Sequence, residues 1–133
     1  MPYHFEYDSA NRVLRGALEG NIADEELREF YRVAAEYSAI TDSLDSVMDM
    51  SSIASFDVSP QTIRELASLP PAIVDPSRPR CIIAASAQVF GMARMFELQG
   101  QATRPNLHVV RTQKEAWAIL GVSKPKFEAI QIK

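Results

Sequence analysis

Histidine and cysteine are both scarce here, with two of the first and one of the second in 133 residues. A lone Cys81 forms no internal disulfide and offers no cysteine cluster to a metal. His4 and His108 lack a partner at ligand spacing, so no metal site and no cofactor is expected. The five glycines do not cluster, which removes the glycine-rich phosphate loop from consideration. Charge of one sign is also short. Fourteen basic against seventeen acidic residues leave a formal net charge of −3, and no basic run stands out. Nucleic acid binding, which draws on clustered Lys and Arg against phosphates, is therefore not expected. No apolar run approaches the roughly 20 residues of a membrane-spanning helix. The segment Met1–Glu6 has no basic stretch leading into an apolar core, so no secretory signal is expected and the cytoplasm is the expected compartment. No nucleophile, base and acid stand at a recognisable spacing, and no catalytic residue is assigned.

What remains is an ordinary globular composition, 47% hydrophobic and 23% charged, in a chain of single-domain length. Tyr3, Phe5 and Tyr7 alternate with His4 and Glu6, the period of a half-buried strand. Ser9-Ala10-Asn11 supplies a turn. Residues 12–19 alternate again, with Val13 and Ala17 on one face and Leu14 and Leu18 on the other, completing an antiparallel hairpin that Gly20-Asn21 ends. Asp24 is placed to cap a helix in which Leu27, Phe30, Tyr31 and Ala34 recur at helical spacing. Leu44–Met50 reads as a central strand, and a short helix follows from Pro60 to about Leu69. The connection 70–79 holds four prolines and cannot continue that helix. Cys81–Ala85 is a continuous apolar run, as in a strand buried on both faces. Ser86 caps a helix to about Gly100, 106–111 forms a further strand, and Thr112 caps a last helix stopped by Gly121.

Strands alternating with helices need crossover connections. The expected fold is α/β: a mixed, mostly parallel sheet of about five strands with an N-terminal antiparallel hairpin, covered by four helices. The domain is expected over 1–121, leaving 122–133 as a tail that adds an edge strand or contacts a second subunit.

Three stretches carry a family resemblance. The first is Asp49-Met50-Ser51 with Phe56-Asp57-Val58-Ser59. The second is Val89-Phe90-Gly91-Met92-Ala93-Arg94-Met95-Phe96-Glu97. The third is Lys114-Glu115-Ala116-Trp117-Ala118-Ile119-Leu120-Gly121. In this order they resemble the STAS domain, and within it the SpoIIAA-like (STAS/SEC14-like) small bacterial proteins. The resemblance implies a noncatalytic regulatory module that binds a protein partner, with a homodimer as one arrangement. It makes Ser59 the phosphoacceptor candidate, with Asp57, Gln61 and Arg94 on the adjoining partner surface. Phospho-switched members carry an aspartate, two small hydroxyl residues and a glycine at this loop. Here Asp57-Val58-Ser59-Pro60 stands instead.

Read without the resemblance, Ser59-Pro60 is a standard helix start, and Arg94 with Glu97 is a surface pair at i, i+3. The second functional expectation is a carrier of a small apolar molecule or lipid, with a cavity walled by Phe90, Met92, Met95 and Phe96. A third, an enzyme, requires Asp49, Asp57, His108 and Arg111 to converge in a cleft.

Overall fold

The alternation at the N-terminus produces two long paired strands, β1 (Tyr3–Asp8) and β2 (Val13–Ala23), in the computed structural model, which describes residues 2–130. They run antiparallel, with Phe5 opposite Gly16 and Glu6 opposite Arg15. Three crossovers then add parallel strands: α1 (Asp24–Ile40) leads to β3 (Asp45–Asp57), α2 (Pro60–Ala67) to β4 (Arg80–Ile83), and α3 (Ala87–Gln99) to β5 (Leu107–Val110). Helix α4 (Gln113–Leu120) follows, and β6 (Glu128–Ala129) pairs antiparallel with β1. The strand order is β5-β4-β3-β2-β1-β6.

The sheet is thus mixed and six-stranded, one strand more than expected, because the tail contributes β6. Residues 131–133, the end of that tail, lie outside the described residues. Strands β2 and β3 also run further than expected. Gly20, with φ of +78°, does not end β2; it sits at a register irregularity through which pairing with β3 continues to Ala23 and Asp57. Nor is Asp24 the cap of α1. It is the first helical residue, and the cap position belongs to Ala23, whose N–H donates to Glu26 Oε1 at 2.9 Å.

The three crossovers step the same way across the sheet. Repeating a right-handed connection in one direction returns every helix to the same face. Accordingly α1, α2 and α3 share one core with the sheet, built on Leu14, Leu18, Phe30, Leu66, Ile82 and Phe96 among others. The other face is covered by α4 and the tail. There Val13, Val47, Cys81, Ile83 and Val110 pack with Ala116 and Leu120, flanked by Trp117 and Phe127. Helix α2 has only eight residues, about 12 Å of rise. Beyond it the proline-rich coil, not a helix, lies over the N-terminal ends of β3, β4 and β5.

Candidate ligand-binding site

That coil closes one side of a cavity of about 80 Å³. Helix α1 supplies Phe30, Tyr31 and Ala34; the coil supplies Pro71, Ala72 and Ile73. The sheet forms its floor, with Leu14, Gly16, Ser46, Met48 and Ile82, and Phe96 of α3 bounds the far side. Gly16 matters to this shape. A Cβ there would stand 2.6 Å from Phe30 Cζ and 2.7 Å from Phe5 Cε1, so only glycine lets the two rings descend onto the strand. They stack at 5.0 Å between centroids, and Tyr37 lies 4.7 Å from Phe5. Ser38 Oγ donates to the Ala72 carbonyl at 2.8 Å, fastening the coil to α1.

Two arginines interrupt the apolar lining. Arg80 opens β4 on the helix-bearing face, in line with Ile82, and is 6% exposed; Arg104, in the coil before β5, is 4% exposed. Arg80 Nη2 donates to the Asp75 carbonyl at 2.7 Å. Arg104 Nη1 donates to the Ala67 carbonyl, which ends α2, at 3.1 Å, and its guanidinium lies 4.9 Å from the centre of the Phe96 ring. Burial lowers the pKa of both from the usual arginine value; the Arg104 charge lowers Arg80 further while Asp75 and Asp45 oppose it, and Tyr31 works the other way on Arg104. Burial pushes the Tyr31 phenol up to about 12, against a lowering by Arg104. Its hydroxyl points to Met48 Sδ at 3.6 Å, a weak acceptor.

The opposite face carries a separate polar chain. Arg15 bridges Glu6 and Asp49, with Nη2 at 2.6 Å from Asp49 Oδ2. Asp49 also accepts from Ser51 N at 3.0 Å, Ser51 Oγ at 2.5 Å and Gln113 Nε2 at 3.2 Å. Burial raises the Asp49 carboxyl, but these hydrogen bonds outweigh it and hold the group below the usual carboxylate range. Both Asp49 oxygens are thus engaged, Oδ1 by Ser51 and Oδ2 by Arg15 and Gln113. The enzyme quartet does not assemble: Asp49 serves Arg15, His108 Nε2 pairs with Asn106 Oδ1 at 2.8 Å, and Arg111 lies over the Phe90 ring at 4.2 Å. Asp57 is exposed at the end of β3. Among the described residues no three His, Cys, Asp or Glu side chains gather as metal ligands, and no helix is long and apolar enough to cross a membrane.

The residues singled out from sequence separate into two groups. Asp57, Ser59 and Gln61 share the β3–α2 junction, where Ser59 Oγ accepts from Thr62 N at 3.2 Å and caps α2. The Ser59 hydroxyl and amide both face Asp24, at 3.3 Å to Oδ2 and 2.8 Å to Oδ1. A phosphate on Ser59 would therefore meet a carboxylate. Arg94 joins none of them; it pairs with Glu97 along its own helix. On α3, Phe96 lines the main cavity. Met92 and Phe96 line a second of only about 20 Å³, and Phe90 and Met95 line neither. The cavity lies on the α1 side of Phe96, nearer the coil than expected. Arg80 and Arg104 escaped the sequence reading. The signal for Arg80 was its two-residue spacing from Ile82, which assigns it to the covered face; nothing comparable marks Arg104.

No family model matches this chain, and no curated protein matches it.

Proposed function

We propose that this domain acts by binding, and that its ligand is a small apolar molecule held between α1, the 70–79 coil and the sheet. The observation that supports the reading is the cavity itself. It is lined by aromatic and aliphatic side chains with a few polar groups, the usual make-up of a ligand pocket. Native mass spectrometry of the protein purified from its own cells tests this. The expected result is a retained small hydrophobic molecule, lost in Ala34→Leu, which extends three carbons' worth of side chain into the space. An empty chain whose Ala34, Met48 and Ala72 methyl resonances ignore both 1-hexanol and hexanoate would overturn the proposal.

A second reading, the STAS-like protein-interaction module, draws support from a different observation. Beyond Asp49 no strand pairs with β3 on its β4 side among the described residues. Residues 51–55 form a mostly exposed edge leading to Asp57 and Gln61. An open edge of this kind accepts an added strand. On this reading phosphorylation of Ser59 acts by expelling Asp24 from the α2 cap, separating the starts of α1 and α2. A partner that protects the 51–55 amides from hydrogen exchange would support it; unchanged exchange on adding cell extract would not.

A further inference from the structure

We infer that the cavity ligand is a small apolar carboxylic acid, its carboxylate seated between Arg80 and Arg104. This deepens the binding reading and rests on it.

Among the described residues two buried charges form no direct ion pair: Asp75 and Asp45 favour the Arg80 charge only from beyond 4.0 Å, and no carboxylate is among the groups acting on Arg104. Buried arginines are ordinarily paired with carboxylates, since an uncompensated buried charge is costly. The other partly buried cations of this chain follow that rule: Arg15 has Glu6 and Asp49, and Arg78 has Asp45. Arg80 and Arg104, the two most buried, do not. Among the described residues neither lies within 4.0 Å of an acidic oxygen, although both line one cavity.

Part of each guanidinium has a structural task. Arg104 holds the last carbonyl of α2 and stacks on Phe96; Arg80 holds the coil through Asp75. Each task uses one terminal nitrogen, out of five N–H donors per guanidinium. The remaining nitrogens have no protein acceptor, yet no fully buried polar side-chain atom is left without a partner. Those nitrogens therefore keep contact with open volume, and the cavity is the open volume that both side chains line. The Tyr31 hydroxyl, held only by the Met48 sulfur, and the Ser46 side chain line the same space. Together with the remaining guanidinium nitrogens they form a donor set beside the cavity that no acidic side chain pairs with among the described residues.

The chemistry of the walls selects the anion. Helices α1 and α2 both end toward this side of the sheet, presenting the negative ends of their dipoles. No helix start and no glycine-rich loop lies in the lining to offer amide N–H groups, the usual device for phosphate. A monoanion with a planar, fork-matching geometry suits two guanidiniums there better than a phosphate dianion. The rest of the lining is apolar. A volume of about 80 Å³ compares with roughly 150 Å³ for an engineered cavity that holds benzene. It admits a carboxylate and the first few carbons of a tail.

The test uses the full chain and a matched series: hexanoate, 1-hexanol and hexyl phosphate. Affinity is read by calorimetry at pH 7, and location by the arginine Nε–H signals in nitrogen-15 spectra. Hexanoate is expected to bind at least tenfold more tightly than 1-hexanol and to shift the Arg80 and Arg104 Nε–H signals. Arg80→Gln is expected to reduce hexanoate affinity tenfold or more while leaving 1-hexanol affinity within twofold. Because the wild-type series already decides the matter, failure of that variant to fold would not shelter the inference. Equal binding of hexanoate and 1-hexanol would overturn the carboxylate assignment and leave the apolar pocket standing. Tighter binding of hexyl phosphate, or binding that leaves both arginine signals unmoved, would also overturn it. No binding by any of the three would remove the pocket reading together with this one.

Discussion

Replacing Asp49 with asparagine tests whether the polar chain on the α4 face serves stability. The side chain keeps its shape, but one acceptor oxygen becomes an amide NH2, a donor. Ser51 can still donate to the remaining oxygen. Arg15 Nη2 and Gln113 Nε2, now at 2.6 and 3.2 Å from the changed atom, would face another donor. Removing one partner from a buried ion pair costs about 3–5 kcal/mol, because the other charge is stranded. Arg15 is only partly stranded, since it retains Glu6. The expected loss is therefore near the lower end, about 3 kcal/mol. For a chain of this length that is roughly 10–15 °C in melting temperature. The pH dependence carries a sign. The Asp49 carboxyl lies lower in the folded protein than its unfolded value near 4. Its contribution is fully present above that unfolded value and disappears as pH falls through the folded one. Urea unfolding of wild type and D49N should thus show the full gap at pH 7 and a narrowing gap below about pH 4. Equal stability at pH 7, or a gap that does not change with pH, would refute the assignment of this network to charge-assisted bonding.

Gly16→Ala should destabilise the fold by about 1–3 kcal/mol through overpacking against Phe5 and Phe30, measured by thermal unfolding; an unchanged midpoint would mean the ring pair yields freely. Burial, then the neighbouring Asp45 charge, pushes the Cys81 thiol up to about 12, so Ellman's reagent should react with it only after denaturation. Fast labelling of the native protein would contradict the buried position. Ser59→Ala should cost about 1 kcal/mol as a lost helix cap. Ser59→Asp, ordinarily a good cap, should also lower the melting temperature here, because it faces Asp24; adding Asp24→Asn should restore it, and an unaltered or raised midpoint for Ser59→Asp alone would count against that contact.

Much of the architecture was legible because period and caps are local signals. Tyr3, Phe5 and Tyr7 alternate, Ser59-Pro60, Ser86 and Thr112 mark three helix starts, and the helices do begin there. The errors share a different origin. Asp24 looked like a cap because its own helix needs one, but its carboxylate is drawn off by the Ser59 amide, 35 residues away. Gly20-Asn21 looked like a terminus, and Ser51-Ser52 a loop, because polar residues follow apolar ones. Each strand supplies the other's hydrogen bonds, so both continue past the point where either alone would stop. Strand β6 has only two residues, too few to show a period. Its position is fixed by Asp8, which binds the Lys126 amide at 3.1 Å.

The cavity shows the same division between a local cause and a distant consequence. Four prolines in 70–79 are plain in the sequence, and they do prevent a helix. What they imply for binding depends on where the sheet lies. With α2 ending at Ala67, coil rather than helix closes the space between α1 and α3, and the cavity lies beneath it. A charge beside an apolar run, such as Arg80 before Cys81–Ala85, reads as a strand boundary turned toward water. Its parity with Ile82 places it on the helix-bearing face, where it is buried and holds the Asp75 carbonyl of the coil. Sites in parallel α/β sheets are sought at the carboxyl ends of the strands, where Asp57, Ser86 and Thr112 lie. Here the two buried arginines without a direct ion-pair partner among the described residues stand at the opposite ends, at Arg80 and just before Leu107, and line the cavity beneath the proline-rich coil.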